Sequence, residues 1–146
     1  MERHFTLTEA RGLLPRVARL LREATEFKRD YQRAERTIQA FTGQVNLMGG
    51  MQVDRGRMLE MRAQRDRTAK QLQQAVENIR ETGCEVKDLD TGLIDFPSRY
   101  RGQEVYLCWK LGESDITHWH GIEEGFAGRK PIDQDFIDHH EGGTTQ

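Results

Sequence analysis

His118-Trp119-His120 sets two imidazoles two residues apart. In an extended strand such side chains share a face about 7 Å apart at the backbone, a spacing that can chelate Zn²⁺ or Ni²⁺. Asp95, Glu113 and Cys108 are the side chains whose chemistry would complete the set, so the metal-ligand candidates are His120, His118, Asp95, Glu113 and Cys108. Metal binding needs at least three ligands in register, and the sequence alone does not place the third. The competing reading is a solvated His118 and a His120 hydrogen-bonded to backbone.

Five residues past His120, Gly125-Phe126-Ala127-Gly128-Arg129 has the composition of a backbone nest, with successive N–H groups and a guanidinium able to grip an anion bidentately. It lacks the flanking strand and helix of a phosphate loop. Trp119, His120, Phe126 and Arg129 are therefore read as a candidate ligand face. The alternative is a turn whose glycines supply positive φ, with Phe126 filling the core and Arg129 paired to a nearby acid. Asp88, Asp90 and Asp95 surround a tight turn; they suit a divalent cation or acid–base work, but without EF-hand spacing, and Asp90-Thr91-Gly92 is ordinary turn chemistry. Trp109 and Trp119 read as packing residues. No nucleophile elbow, HExxH or Walker sequence occurs, so no catalytic residue is assigned and a conventional enzyme is unsupported.

The elements that must position these residues change character near Gly83. Thr6-Leu7-Thr8-Glu9 is a capping box that starts a helix. From there Ala10, Leu13, Val17, Leu20, Ala24, Phe27, Tyr31, Ala34, Ile38 and Phe41 recur at steps of three and four, a heptad seam. Pro15 lies inside it and predicts a kink near residues 12–15. Thr42-Gly43 and Asn46 to Gly50 predict a loop. Met51, Met58, Met61, Leu72, Ala75 and Ile79 resume the spacing, interrupted at Arg65 and Thr68, until Thr82-Gly83 ends the second helix. Beyond Gly83 the period becomes 2. Residues 84–89 and 93–96 read as strands around Asp90-Thr91-Gly92, the latter closed by Pro97. After an Arg101-Gly102 turn, Glu104 to Leu111 alternates with Val105, Leu107, Trp109 and Leu111 on one face and Tyr106, Cys108 and Lys110 on the other. Residues 116–120 fit a fourth strand or a helical turn.

The expected fold is α+β: a long antiparallel helical hairpin, coiled-coil-like, over 7–82, then a three- to four-stranded antiparallel β-meander with its closing turn over 84–132, one face of the meander covered by the hairpin. These form one domain over 1–132. The polar segment 133–146 reads as a disordered acidic tail, whose Asp138-His139-His140-Glu141 can bind adventitious metal. With 32% charged and 36% hydrophobic residues and a mean hydropathy of -0.80, much of the chain must be solvated surface. No apolar run or signal-peptide core is present, which predicts a cytoplasmic protein without a membrane partner. Cys84 and Cys108 are too few and too isolated for a disulfide framework. Residues 1–82 carry 16 basic against 11 acidic residues, net +5, while 83–146 carry 6 against 13, net -7. Opposite signs suit docking of the halves on each other or on a second copy, with a dimer favoured, better than a polyanion partner, because the arm's charges are mixed.

The order GCEVKDLDTGLIDFP, EVYLCWKLGE and WHGIEEGFAGRKPI, after a helical arm opening FTLTEARGLLP, resembles the bacterial family known as Domain of Unknown Function 2203 over the chain to about Ile132. The resemblance implies the fold and a bacterial cytosolic origin, and no activity. His120, Gly125, Phe126, Gly128, Arg129 and Pro131 match its pattern; His118 and Gly121 stand where its members carry an aromatic residue and a Glu. A chelate built on His118 is therefore not implied by the family.

Three functions are compatible with these residues: a self-associating interaction module binding a protein or anionic ligand at the Trp119, His120, Phe126 and Arg129 face; a metal-binding protein or small metal-dependent hydrolase using His120 with Asp95, Glu113 or Cys108 and zinc or a similar ion; and a nucleic-acid binder using the Arg-rich arm.

Overall fold

The computed structural model describes residues 3–47 and 54–144. A short strand β1 (Arg3–His4) leads into helix α1 (Leu7–Leu47), which begins at the expected capping box: Glu9 N–H donates to Thr6 Oγ1 at 3.1 Å and Thr6 N–H to Glu9 Oε1 at 3.0 Å. These bonds satisfy donors that a helix start otherwise leaves unpaired, a contribution of about 1 kcal/mol. The same bonds hold the Glu9 carboxyl below its ordinary value. α1 is one helix with Pro15 inside, and it continues past Thr42-Gly43, where a loop is expected. A Cβ at Gly43 would meet nothing within 4 Å, so only helix propensity opposes this glycine. Met48 to Met51 of the expected loop and seam lie outside the described residues.

Residues 22–75 form one compact unit, made of α1 beyond Arg22 and most of helix α2 (Arg55–Arg80). Ala34, Thr68 and Ala75 are buried there, while Phe27, Tyr31, Ile38, Phe41, Met58, Met61 and Leu72 are half-buried. Thr68 is accommodated because its hydroxyl donates to the Arg65 carbonyl at 2.9 Å, and Arg65 lies 3.7 Å from Glu35. Two helices alone bury only a narrow stripe each, which accounts for the half-exposed seam.

Residues 1–21 and 76–146 form the second unit. Gly83 ends α2 at φ +100, a left-handed position that suits glycine. The sheet then runs β2 (Glu85–Asp88), β3 (Leu93–Tyr100), β4 (Gln103–Lys110), β5 (His118–Gly121) and β6 (Lys130–Pro131) in that order, all antiparallel. β3 does not stop at Pro97. In a strand the N–H and C=O of one residue point the same way, and the Pro97 carbonyl accepts from Phe5 N–H at 2.7 Å, so the missing N–H costs the β4 ladder nothing.

Directly opposed residues share a face. Ile94-Trp109, Phe96-Leu107 and Ser98-Val105 therefore form an apolar face, extended on β5 by Trp119. Phe5 meets Phe96 edge to face at 5.4 Å, and Leu21 reaches the backbone at Gly92. The rows Asp95-Cys108-His118 and Pro97-Tyr106-His120 form the opposite face.

The C-terminal segment corrects an expectation. Residues 133–144 are folded: α3 (Gln134–His139) is capped by Asp133, whose side chain accepts from Phe136 N–H, and Phe136 is fully buried. Its ring packs against Tyr100 at 4.9 Å, Trp119 at 5.1 Å and His140 at 5.3 Å. β7 (His140–Glu141) pairs with β3, β8 (Gly143–Thr144) pairs with β1, and His140 Nε2 accepts from Leu7 N–H at 3.0 Å, capping α1. One aromatic side chain anchors a segment whose composition otherwise resembles a tail.

Candidate metal centre

Three strands bring three donor side chains to one point. Asp95 on β3 lies directly opposite Cys108 on β4, and His120 on β5 reaches the same place diagonally. One ligand atom from each, a carboxylate oxygen, Sγ and an imidazole nitrogen, lies within 4.8 Å of the others, and all three residues are buried. His120 Nε2 is 3.0 Å from Asp95 Oδ1, with the side chains 5% and 2% exposed. Tetrahedral ligands at roughly 2.0–2.3 Å from a zinc ion stand about 3.3–3.8 Å apart, so small side-chain movements would seat an ion among these three.

The other nitrogen of His120 settles where its proton is. Nδ1 is 2.8 Å from the Gly121 carbonyl, and a carbonyl only accepts, so Nδ1 carries hydrogen. Nε2 then faces a carboxyl oxygen, and the gap must hold one shared proton or a cation. Burial pushes the Asp95 carboxyl above its ordinary value, outweighing the hydrogen bond and charge of His120 and the charge of Lys87. The arrangement around the imidazole, one nitrogen donating to a backbone carbonyl and the other turned to an acidic donor set, is the one that orients histidine ligands.

A Cys-His-Asp nucleophile does not fit this geometry. There the imidazole must bridge thiol and carboxyl, whereas here its second nitrogen is engaged by Gly121. The Cys108 thiol is pushed up to about 11, first by burial and then by the charge of Asp95, with Arg129 opposing. A thiol held protonated is a poor nucleophile, but a metal ion displaces its proton.

The remaining candidate residues fall around this centre. Glu113 is absent from the donor cluster and pairs bidentately with Arg129, at 3.3 and 3.1 Å. Burial pushes the Glu113 carboxyl up, but Arg129 and the Lys110 N–H outweigh it and hold it below its ordinary value. Arg129 also stacks on the Phe126 ring at 4.3 Å, so its guanidinium is engaged by protein groups. His118 lies in the row of Cys108, yet its Nδ1 engages Thr117 Oγ1 at 2.8 Å and it is outside the cluster. Trp119 points to the apolar face, away from His120, as strand alternation requires. The expected common face of Trp119, His120, Phe126 and Arg129 is therefore divided. Phe126 does not fill the core: it is 40% exposed at the start of a 3₁₀ turn (Phe126–Gly128), and Gly125 has φ -95, not a positive value. Asp88 accepts from the Asp90 backbone N–H as ordinary turn chemistry, apart from Asp95.

Beside the centre is a cavity of about 300 Å³ lined by Asp95 and His120, by Lys87, Leu93 and Tyr106 of the sheet, and by Ile122 to Phe126. Its roof is pinned by Glu124, whose carboxylate accepts from Gly121 N–H at 2.9 Å and from Lys130. Lys87 and Tyr106 were not singled out from sequence. The alternation that sets Tyr106 beside Cys108 on the second face was the available signal for the tyrosine; Lys87 sits at a register irregularity of β2 and gave none.

A family model described as an uncharacterized conserved protein (DUF2203) matches residues 3–132. The chain belongs to that family. The match contains all of Asp95, Cys108 and His120, and ends before the α3 segment. No curated protein and no solved structure matches the chain. Membership in DUF2203 brings no activity with it, so the chemistry rests on the site itself. No helix among the described residues is long and apolar enough to cross a membrane.

Proposed function

We propose that this DUF2203 chain is a metal-binding protein whose centre is formed by Asp95, Cys108 and His120, with a coordination position open to the adjoining cavity. The observation that carries the reading is the convergence of three buried donors from three strands, with His120 Nδ1 already committed to the Gly121 carbonyl. One nitrogen, one sulfur and one oxygen suit zinc best: thiolate and imidazole select against magnesium and calcium. With three protein ligands the fourth position takes water or a ligand, as in metal centres that activate water. Asp95 and Cys108, both ionised, neutralise a divalent ion.

Untagged full-length protein would be dialysed against limiting Zn²⁺ and its metal content measured beside Asp95→Asn and Cys108→Ser variants. About one zinc per chain, lost or strongly weakened in both variants, is expected. Equal zinc in all three proteins would assign the metal to surface groups such as His139 and end the reading.

A further inference from the structure

The charges around the cavity limit what can occupy it. Lys87 is paired with Glu85 at 2.9 Å and lies over the Tyr106 ring at 4.9 Å. Lys130 is paired with Glu124, and Arg129 with Glu113. Each of these three cations thus already has an anionic partner, and Lys110 stands outside the lining, its Nζ 5.7 Å from the Phe126 ring. Glu123 lines the cavity, is exposed, and has no hydrogen-bond or ion-pair partner among the described residues. Leu93, Ile122 and Phe126 supply apolar wall, and the volume is at the small end of ligand sites.

We infer that the cavity selects a small neutral or cationic molecule, such as an amine- or amide-bearing compound, with Glu123 as the carboxylate that recognises its polar end. The inference rests on the metal reading, because the molecule's other end reaches the open coordination position. A divalent ion balanced by Asp95 and Cys108 contributes no net positive charge, and Lys87, the cation in the cavity lining, is already held by Glu85 and not free to draw a phosphate or carboxylate. An anionic group entering here would meet Glu123 instead. Glu123 also lines a second, more open space, of about 570 Å³, with Trp119 and Lys130, so a cationic end can extend past it towards solvent.

Zinc-loaded full-length protein would be titrated with three hydroxamates of matched length, ending in an ammonium, a methyl and a carboxylate group. All three offer the same chelating head, so differences report the far end. The ammonium probe is expected to bind roughly 5- to 10-fold more tightly than the carboxylate probe at low salt, the size of one partly screened charge interaction. Glu123→Gln should abolish that difference while leaving zinc content and methyl-probe affinity unchanged. Tightest binding by the carboxylate probe, or an unchanged order in Glu123→Gln, would overturn the inference and leave the metal reading intact. Failure to retain zinc would overturn both, and the zinc measurement made first separates the two failures.

Discussion

Replacing Asp95 by Asn separates a shared-proton hydrogen bond from a buried ion pair in the metal-free protein, and a metal ligand from a bystander once zinc is added. With Nδ1–H committed to Gly121, His120 Nε2 and Asp95 Oδ1 stand 3.0 Å apart with one proton between them. We place that proton on Asp95, which is 1% exposed and whose carboxyl burial raises, so that the acid donates to Nε2. An Asn amide reproduces that donation from nearly the same position. Metal-free Asp95→Asn should therefore match the wild type within about 1 kcal/mol, the net worth of a typical hydrogen bond. An imidazolium–carboxylate pair predicts otherwise: the variant would leave an unpaired buried charge, at a cost of about 3–5 kcal/mol. Zinc then adds a second contrast. At a hundredfold excess over the dissociation constant it should stabilise the wild type by about 2.7 kcal/mol, and the variant, missing one of three ligands, far less. Urea denaturation with chelator and with zinc, followed by circular dichroism, measures both quantities. A metal-free loss above 3 kcal/mol, or equal zinc stabilisation of the two proteins, would refute the reasoning.

Other consequences of the structure are testable in the same way. In chelator-treated protein the Cys108 thiol, shifted from about 9 to about 11, contributes stability fully present below pH 9 and lost as pH rises through 11. The loss is of the order of 3 kcal/mol at 1.36 kcal/mol per pKa unit, and denaturation midpoints between pH 8 and 11 should fall less steeply in Cys108→Ala. Phe136→Ala should destabilise by about 3–5 kcal/mol, because the fully buried ring holds the C-terminal segment to Tyr100 and Trp119; a loss below 1 kcal/mol in thermal denaturation would contradict that docking. Gly92→Ala should cost more than about 2 kcal/mol, since φ is +71 and a Cβ would lie 2.6 Å from Leu111 Cβ, adding overlap to left-handed strain. Wild-type urea midpoints in that variant would show the turn to be looser than described.

Local chemistry made much of this architecture legible. The capping box, the two-faced alternation from Val105 to Trp109 and the turn at Arg101-Gly102 each depend on near neighbours, and each forms as expected. That turn even implies the site's first contact: Asp95 and Cys108 are equidistant from it, so a two-residue hairpin sets them opposite each other. His120 is another matter. The connection from β4 to β5 is longer and irregular, and no turn rule fixes its register. The sequence therefore put His120 forward with Asp95, Glu113 or Cys108, and which of these three it meets came only with the fold. Expectations failed where one tertiary contact outweighed composition, as with Phe5 beside Pro97 and Phe136 in its aromatic slot, whereas Arg129 pairs with a nearby acid, Glu113, as one of the two readings of its turn has it.

X-ray absorption at the zinc edge, on protein carrying one equivalent of zinc, tests the central claim most directly. One sulfur at about 2.3 Å with nitrogen and oxygen neighbours at about 2.0–2.2 Å, the sulfur disappearing in Cys108→Ser, is the expected result. A shell of nitrogen and oxygen alone in the wild type would place the zinc elsewhere and contradict the account.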